Sequence, residues 1–109
     1  MTEQELKLLM EMMTAVLWMA VPSPSLRIFA RPRYPQRELG ARVNPNGSAT
    51  FTLYLFGWHY KYHGRKPPKP RMDLRAIKTD LNEFLGPKFM VSEVYDRDTH
   101  AELTIWRIQ

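Results

Sequence analysis

Phe51-Thr52-Leu53-Tyr54-Leu55-Phe56-Gly57-Trp58-His59-Tyr60-Lys61-Tyr62 decides the fold class, and His63-Gly64-Arg65-Lys66-Pro67-Pro68-Lys69-Pro70-Arg71 follows it directly. The first segment is aromatic and β-prone, the composition of a strand. Tyr54, Phe56, Trp58, Tyr60 and Tyr62 occupy even positions, so an unbroken strand would put them on one face. Phe51, Leu53 and Leu55 occupy the other face, which turns polar at His59, Lys61 and His63. The core face therefore changes sides near Gly57, where a bulge or bend is expected. The second segment carries four cations among three prolines, an extended connector of polyproline character.

Upstream, Asn44-Pro45-Asn46-Gly47-Ser48 is a hairpin turn, because Asn-Gly accepts positive φ with little strain. It joins a short strand at Leu39, Ala41 and Val43 to the strand Ala49–Tyr62. A further strand is expected over Ser25–Tyr34, from the alternation of Leu26, Ile28 and Ala30 with Arg27, Phe29 and Arg31. Pro32 and Pro35 would make it an edge. At the N-terminus, Thr2 with Glu5 forms a capping box for a helix over residues 3–20, and Pro22 and Pro24 end it. This helix is rich in Met and apolar on most sides, which suits a central helix or one that pairs with a second copy as a homodimer.

Downstream, Leu74, Ile77, Leu81, Phe84 and Leu85 mark a helix over Asp73–Leu85, stopped by Gly86-Pro87. Phe89–Tyr95 and Ala101–Ile108 read as two strands joined through Asp96–His100. The expectation is one α+β domain over residues 1–109. Its order is α-β-β-β-α-β-β, with a mainly antiparallel sheet packed against two helices. The first five elements resemble in order the double-stranded-RNA-binding domain, which contacts phosphate near its second helix. No sequence motif accompanies the resemblance, and the last two strands depart from it.

Charge is segregated along the chain. The 109 residues carry a net +5, yet residues 27–78 hold twelve Lys and Arg against Glu38 and Asp73, a net +10. The flanking segments are net acidic. Such a middle implies an acidic partner: nucleic acid, an acidic protein surface or anionic lipid. The candidate contact residues are Arg27, Arg31, Arg33, Arg37, Arg42, Tyr54, Tyr60, Lys61, Tyr62, Arg65, Lys66, Lys69, Arg71 and Arg75. The arginines and lysines would meet phosphates, and the tyrosines would stack on bases. The cations just ahead of the second helix would add to the pull of its N-terminal amides on an anion.

Several chemistries are excluded or disfavoured. With no cysteine, disulfides, thiolate metal sites and cysteine nucleophiles are ruled out. His59 and His63 on a strand would sit ~13 Å apart, too far for one metal ion. Asp96, Asp98 and His100 imitate the start of a calcium loop, but Ala101 replaces its glycine and Arg107 its bidentate acid. There is no phosphate-binding glycine loop and no nucleophile elbow. The apolar run ending at Val21 is shorter than the roughly 18 residues a membrane span needs. The reading is a cytoplasmic, non-enzymatic nucleic-acid-binding protein without a cofactor. The alternative is a protein-binding adaptor or inhibitor, such as a phage-type host-modulating protein, that grips an acidic partner through Arg and aromatic hot spots.

Overall fold

A computed structural model describes residues 1–18, 23–29, 40–55 and 70–109, with the Trp18 side chain left out. The described elements are α1 (Glu3–Trp18), β1 (Arg42–Val43), β2 (Ala49–Tyr54), α2 (Leu74–Leu85), β3 (Phe89–Asp96) and β4 (His100–Arg107). The strands form one antiparallel sheet of order β1-β2-β4-β3. Since β4 runs antiparallel to both β2 and β3, those two strands point the same way. Helix α2 joins them, and β4 is inserted between. The α+β class holds.

One sheet face carries the core. Ala49, Phe51 and Leu53 of β2, with Leu55 just beyond it, share that face with Ala101, Leu103 and Ile105 of β4 and Phe89 and Val91 of β3. Period-two alternation puts these side chains on one side. Leu9, Met13 and Leu17 of α1 and Ile77, Leu81 and Leu85 of α2 cover them, at the i, i+4 spacing that aligns one helix stripe. Phe84, expected in the α2 stripe, is instead 42% exposed, off the buried i, i+4 row of Ile77, Leu81 and Leu85.

Local chemistry sets the element ends. The capping box forms at α1: Glu5 N–H donates to Thr2 Oγ1 and Thr2 N–H to Glu5 Oε1, both at 3.1 Å. The Asn44–Ser48 turn closes with Gly47 N–H on Asn44 C=O at 3.0 Å and Asn44 N–H on Ser48 C=O at 2.8 Å. Gly47 takes φ +90°, a region costly for residues with a Cβ. The α-amino group of Met1 donates to Gly47 C=O at 3.0 Å, and Arg107 pairs with Glu5 at 2.8 Å. The start of α1 is thereby fixed to the end of the sheet. The Gly86-Pro87 peptide, which ends α2, is cis.

Two expected strands are corrected. Residues 25–29 of the strand placed at Ser25–Tyr34 form consecutive turns, with Leu26 and Arg27 N–H on Ser23 C=O and Phe29 N–H on Leu26 C=O. Leu26 and Phe29 are both fully buried, three residues apart, so the segment follows helical-turn spacing rather than alternation. The strand at Leu39–Val43 shrinks to Arg42–Val43, because Gly40 adopts φ +52°. Residues 30–39 and 56–69, which include the rest of both strands, the far half of Ala49–Tyr62 and the expected bulge at Gly57, lie outside the described residues, as do residues 19–20 of the first helix. Among the described residues, two strands rather than three lie between the helices.

Candidate nucleic-acid interface

Of the fourteen candidate contact residues, Arg27, Arg42, Tyr54, Arg71 and Arg75 are described; Arg31, Arg33, Arg37, Tyr60, Lys61, Tyr62, Arg65, Lys66 and Lys69 lie outside the described residues. All four described arginines are exposed, as is Lys78 one turn beyond Arg75.

The fold sorts these cations onto two edges. Arg42 stands on β1, opposite Thr50 of β2. Arg71, Arg75 and Lys78 belong to the approach and first turns of α2, which packs by β3 at the other edge. Arg27 joins the α2 side, because its turn is anchored there. Ser23 Oγ and Ser25 Oγ both donate to Asp80 on α2, the second at 2.5 Å. The hydrogen bond from Ser23, then that from Ser25, hold the Asp80 carboxyl below its ordinary pKa.

The expected anion site at the N-terminus of α2 is already filled by the chain itself. Asp73 is the N-cap, and its Oδ1 accepts the Ala76 N–H at 3.1 Å. Its carboxylate meets the orphan amides and the positive end of the helix dipole. The basic side chains, not the helix end, are what remains for an external anion on this side.

Arg75 and Lys78 line a groove of about 390 Å³ between α2 and β3, with Leu74 and residues Ser92 to Tyr95. Its strand wall is partly acidic. Tyr95 Oη donates to Glu93 Oε2, and this bond raises the tyrosine pKa. Arg97 lies over the Tyr95 ring at 5.0 Å and pairs with Glu102 at 3.5 Å. Lys78 was legible as a continuation of the basic run. Tyr95, Glu93 and Asn82 were not singled out by the sequence. Asn82 projects from α2 to the backbone of β3, donating to Val91 C=O at 3.1 Å and accepting Val91 N–H at 2.6 Å.

Tyr54 occupies the sheet face away from the core and is half-buried. It packs on His100, with ring centroids 5.5 Å apart at 53°. His100 Nδ1 in turn lies 3.0 Å from Thr99 Oγ1. On this face Trp106 donates to Ser92 Oγ at 3.0 Å, beside Thr50, Thr52 and Thr104. Tyr54 is therefore a ring with one partner already in place rather than an open platform. Among the described residues, no three His, Asp or Glu side chains converge on a metal-sized point, and no helix is long and apolar enough to cross a membrane.

Comparison with protein-family models, with characterised proteins and with solved structures returned no match.

Proposed function

We propose that this chain binds nucleic acid without catalysis, through the phosphate backbone, using the basic segment 27–78. The observation that carries this reading is charge segregation. A net +10 falls in that segment, and every described cation of it is exposed to solvent. Twelve cations kept largely apart from acids in sequence raise the local potential far more than a dispersed +5 would. The α2 side, with Arg27, Arg71, Arg75 and Lys78, is the larger described part of this surface, and Arg42 stands at the opposite edge. Contacts of this kind position a duplex or a single strand without reading its sequence.

Fluorescence anisotropy with labelled single-stranded DNA, single-stranded RNA and duplex DNA at low salt tests it. Binding of at least one probe with little dependence on base sequence is expected. Absence of binding to all three would overturn it. A pull-down from lysate with and without nuclease separates the protein-adaptor alternative: a partner retained after nuclease treatment is a protein.

A further inference from the structure

The groove between α2 and β3 has a property the nucleic-acid reading does not use. β3 is an edge strand, with β4 on one side and no described strand on the other. Backbone groups of an antiparallel strand alternate between facing the neighbour and facing away. Ile108 N–H donates to Lys88 C=O at 2.7 Å, so Lys88 and Met90 face β4, and Phe89 and Val91 face outward. Asn82 occupies both outward groups of Val91 with its amide, as a neighbouring strand's peptide would. The bulge between Val91 and Glu93 then resets the alternation. At the far end Arg97 N–H donates to His100 C=O at 2.9 Å, so Tyr95 and Glu93 face β4 and Val94 faces outward. The outward N–H and C=O of Val94 open into the groove walled by Leu74, Arg75 and Lys78.

We propose that this groove accepts an extended acidic peptide as an added strand on β3, pairing with Val94 and placing carboxylates against Arg75 and Lys78. An added strand gains main-chain hydrogen bonds from the edge and specificity from pockets for alternate side chains. The alternation matters here because the two walls differ in charge. Every second side chain of the peptide points toward α2, where Arg75 and Lys78 stand, and suits Asp or Glu. The intervening side chains point to the side of Tyr95 and Glu93, where acids are disfavoured and polar or basic residues fit. A phosphate backbone has no such period-two alternation and would bring charge against Glu93 as well as against the cations. That asymmetry favours the peptide for this groove. Asn82 closes the edge at Val91, which limits pairing to the segment beyond the bulge and sets the register. This goes beyond the nucleic-acid reading and does not depend on it, and it makes the peptide and an oligonucleotide competitors for Arg75 and Lys78.

The probe is a fluorescein-labelled peptide of alternating glutamate and threonine, with an all-lysine peptide of the same length as control, which has no register that keeps lysine away from Arg75 and Lys78. The glutamate peptide is expected to bind, to slow hydrogen exchange at the Val94 amide, and to leave the control unbound. Val94→Pro removes the outward donor at a position whose N–H is not used by β4, and is expected to weaken binding at least about tenfold. Lys78→Glu, an exposed change that leaves the core intact, is expected to weaken it similarly and to shift preference toward the lysine peptide. Equal binding of both peptides, or glutamate-peptide binding unchanged in both variants, overturns the proposal. So does protection of Val94 by an oligonucleotide with none by the peptide; that result assigns the groove to nucleic acid and leaves the proposed function standing.

Discussion

Asn82→Ala is the substitution through which the fold of the β3 edge is best tested. Asn82 makes two hydrogen bonds with the backbone of Val91, at 2.6 Å and 3.1 Å. A hydrogen bond of this kind contributes about 1 kcal/mol net. Val91 is fully buried, but its outward backbone groups lie at a sheet edge, where water can partly replace the amide. The two bonds together are then worth about 2 kcal/mol at most. Alanine is the better helix former, by up to about 0.7 kcal/mol, and offsets part of the loss. The net destabilisation is about 1–1.5 kcal/mol, a fall in Tm of roughly 4–10 °C for a domain of this size. Urea denaturation gives the free energy, and amide hydrogen exchange gives its location. The Val91 amide is expected to lose protection beyond the global change, while Leu103 and Ile105 on β4 follow global unfolding. Unchanged stability with full protection at Val91 would refute the role assigned to Asn82.

Leu81→Ala empties a fully buried position between α2 and the sheet and is expected to cost about 2–5 kcal/mol by urea denaturation. Gly47→Ala places a Cβ at φ +90° and is expected to cost about 1–2 kcal/mol by the same measurement, although among the described residues the Cβ would meet only the Met1 nitrogen, at an ordinary 3.7 Å contact. For Asp80, the folded pKa lies below the unfolded one, so its contribution is present above the ordinary carboxylate value of 3.8 and disappears as pH falls through the lower folded value. Ser23→Ala combined with Ser25→Ala is therefore expected to lower stability at neutral pH and to make the loss on acidification shallower, as read by thermal melts from pH 7 to about pH 2.

The sequence carried most of the fold where one signal dominated. The Asn-Gly turn, the Thr2–Glu5 box, the α2 stripe apart from Phe84, and the two C-terminal strands each had a local cause that tertiary packing left alone. Over residues 25–29 the strand expected at Ser25–Tyr34 gives way to turns, because Leu26, Ile28 and Phe29 are all apolar. Strict alternation and helical-turn spacing fit that short run equally, and the Asp80 carboxylate on α2 holds its start in turns through Ser23 and Ser25. Gly40 looked like one residue of an alternating strand, yet its φ of +52° ends the pairing two residues before β1. The described part of the candidate site was legible as charge but not as arrangement. Nothing in the run of arginines shows that β4 inserts between β2 and β3, which sends Arg42 and Arg75 to opposite edges. The groove was hidden for a related reason. Val91 and Val94 are three apart, so only the bulge brings both to the core side and leaves Tyr95 at the rim.

The central claim, that the exposed cations of segment 27–78 hold phosphates, is tested most directly by the salt dependence of oligonucleotide affinity. For a single-stranded probe, log K is expected to fall linearly with log salt, with a slope of about −0.7 per phosphate neutralised. Replacing Arg71, Arg75 and Lys78 together by Gln is expected to weaken binding and to make the slope shallower by about 2. A wild-type affinity that ignores salt, or a slope unchanged by the triple substitution, would contradict the account.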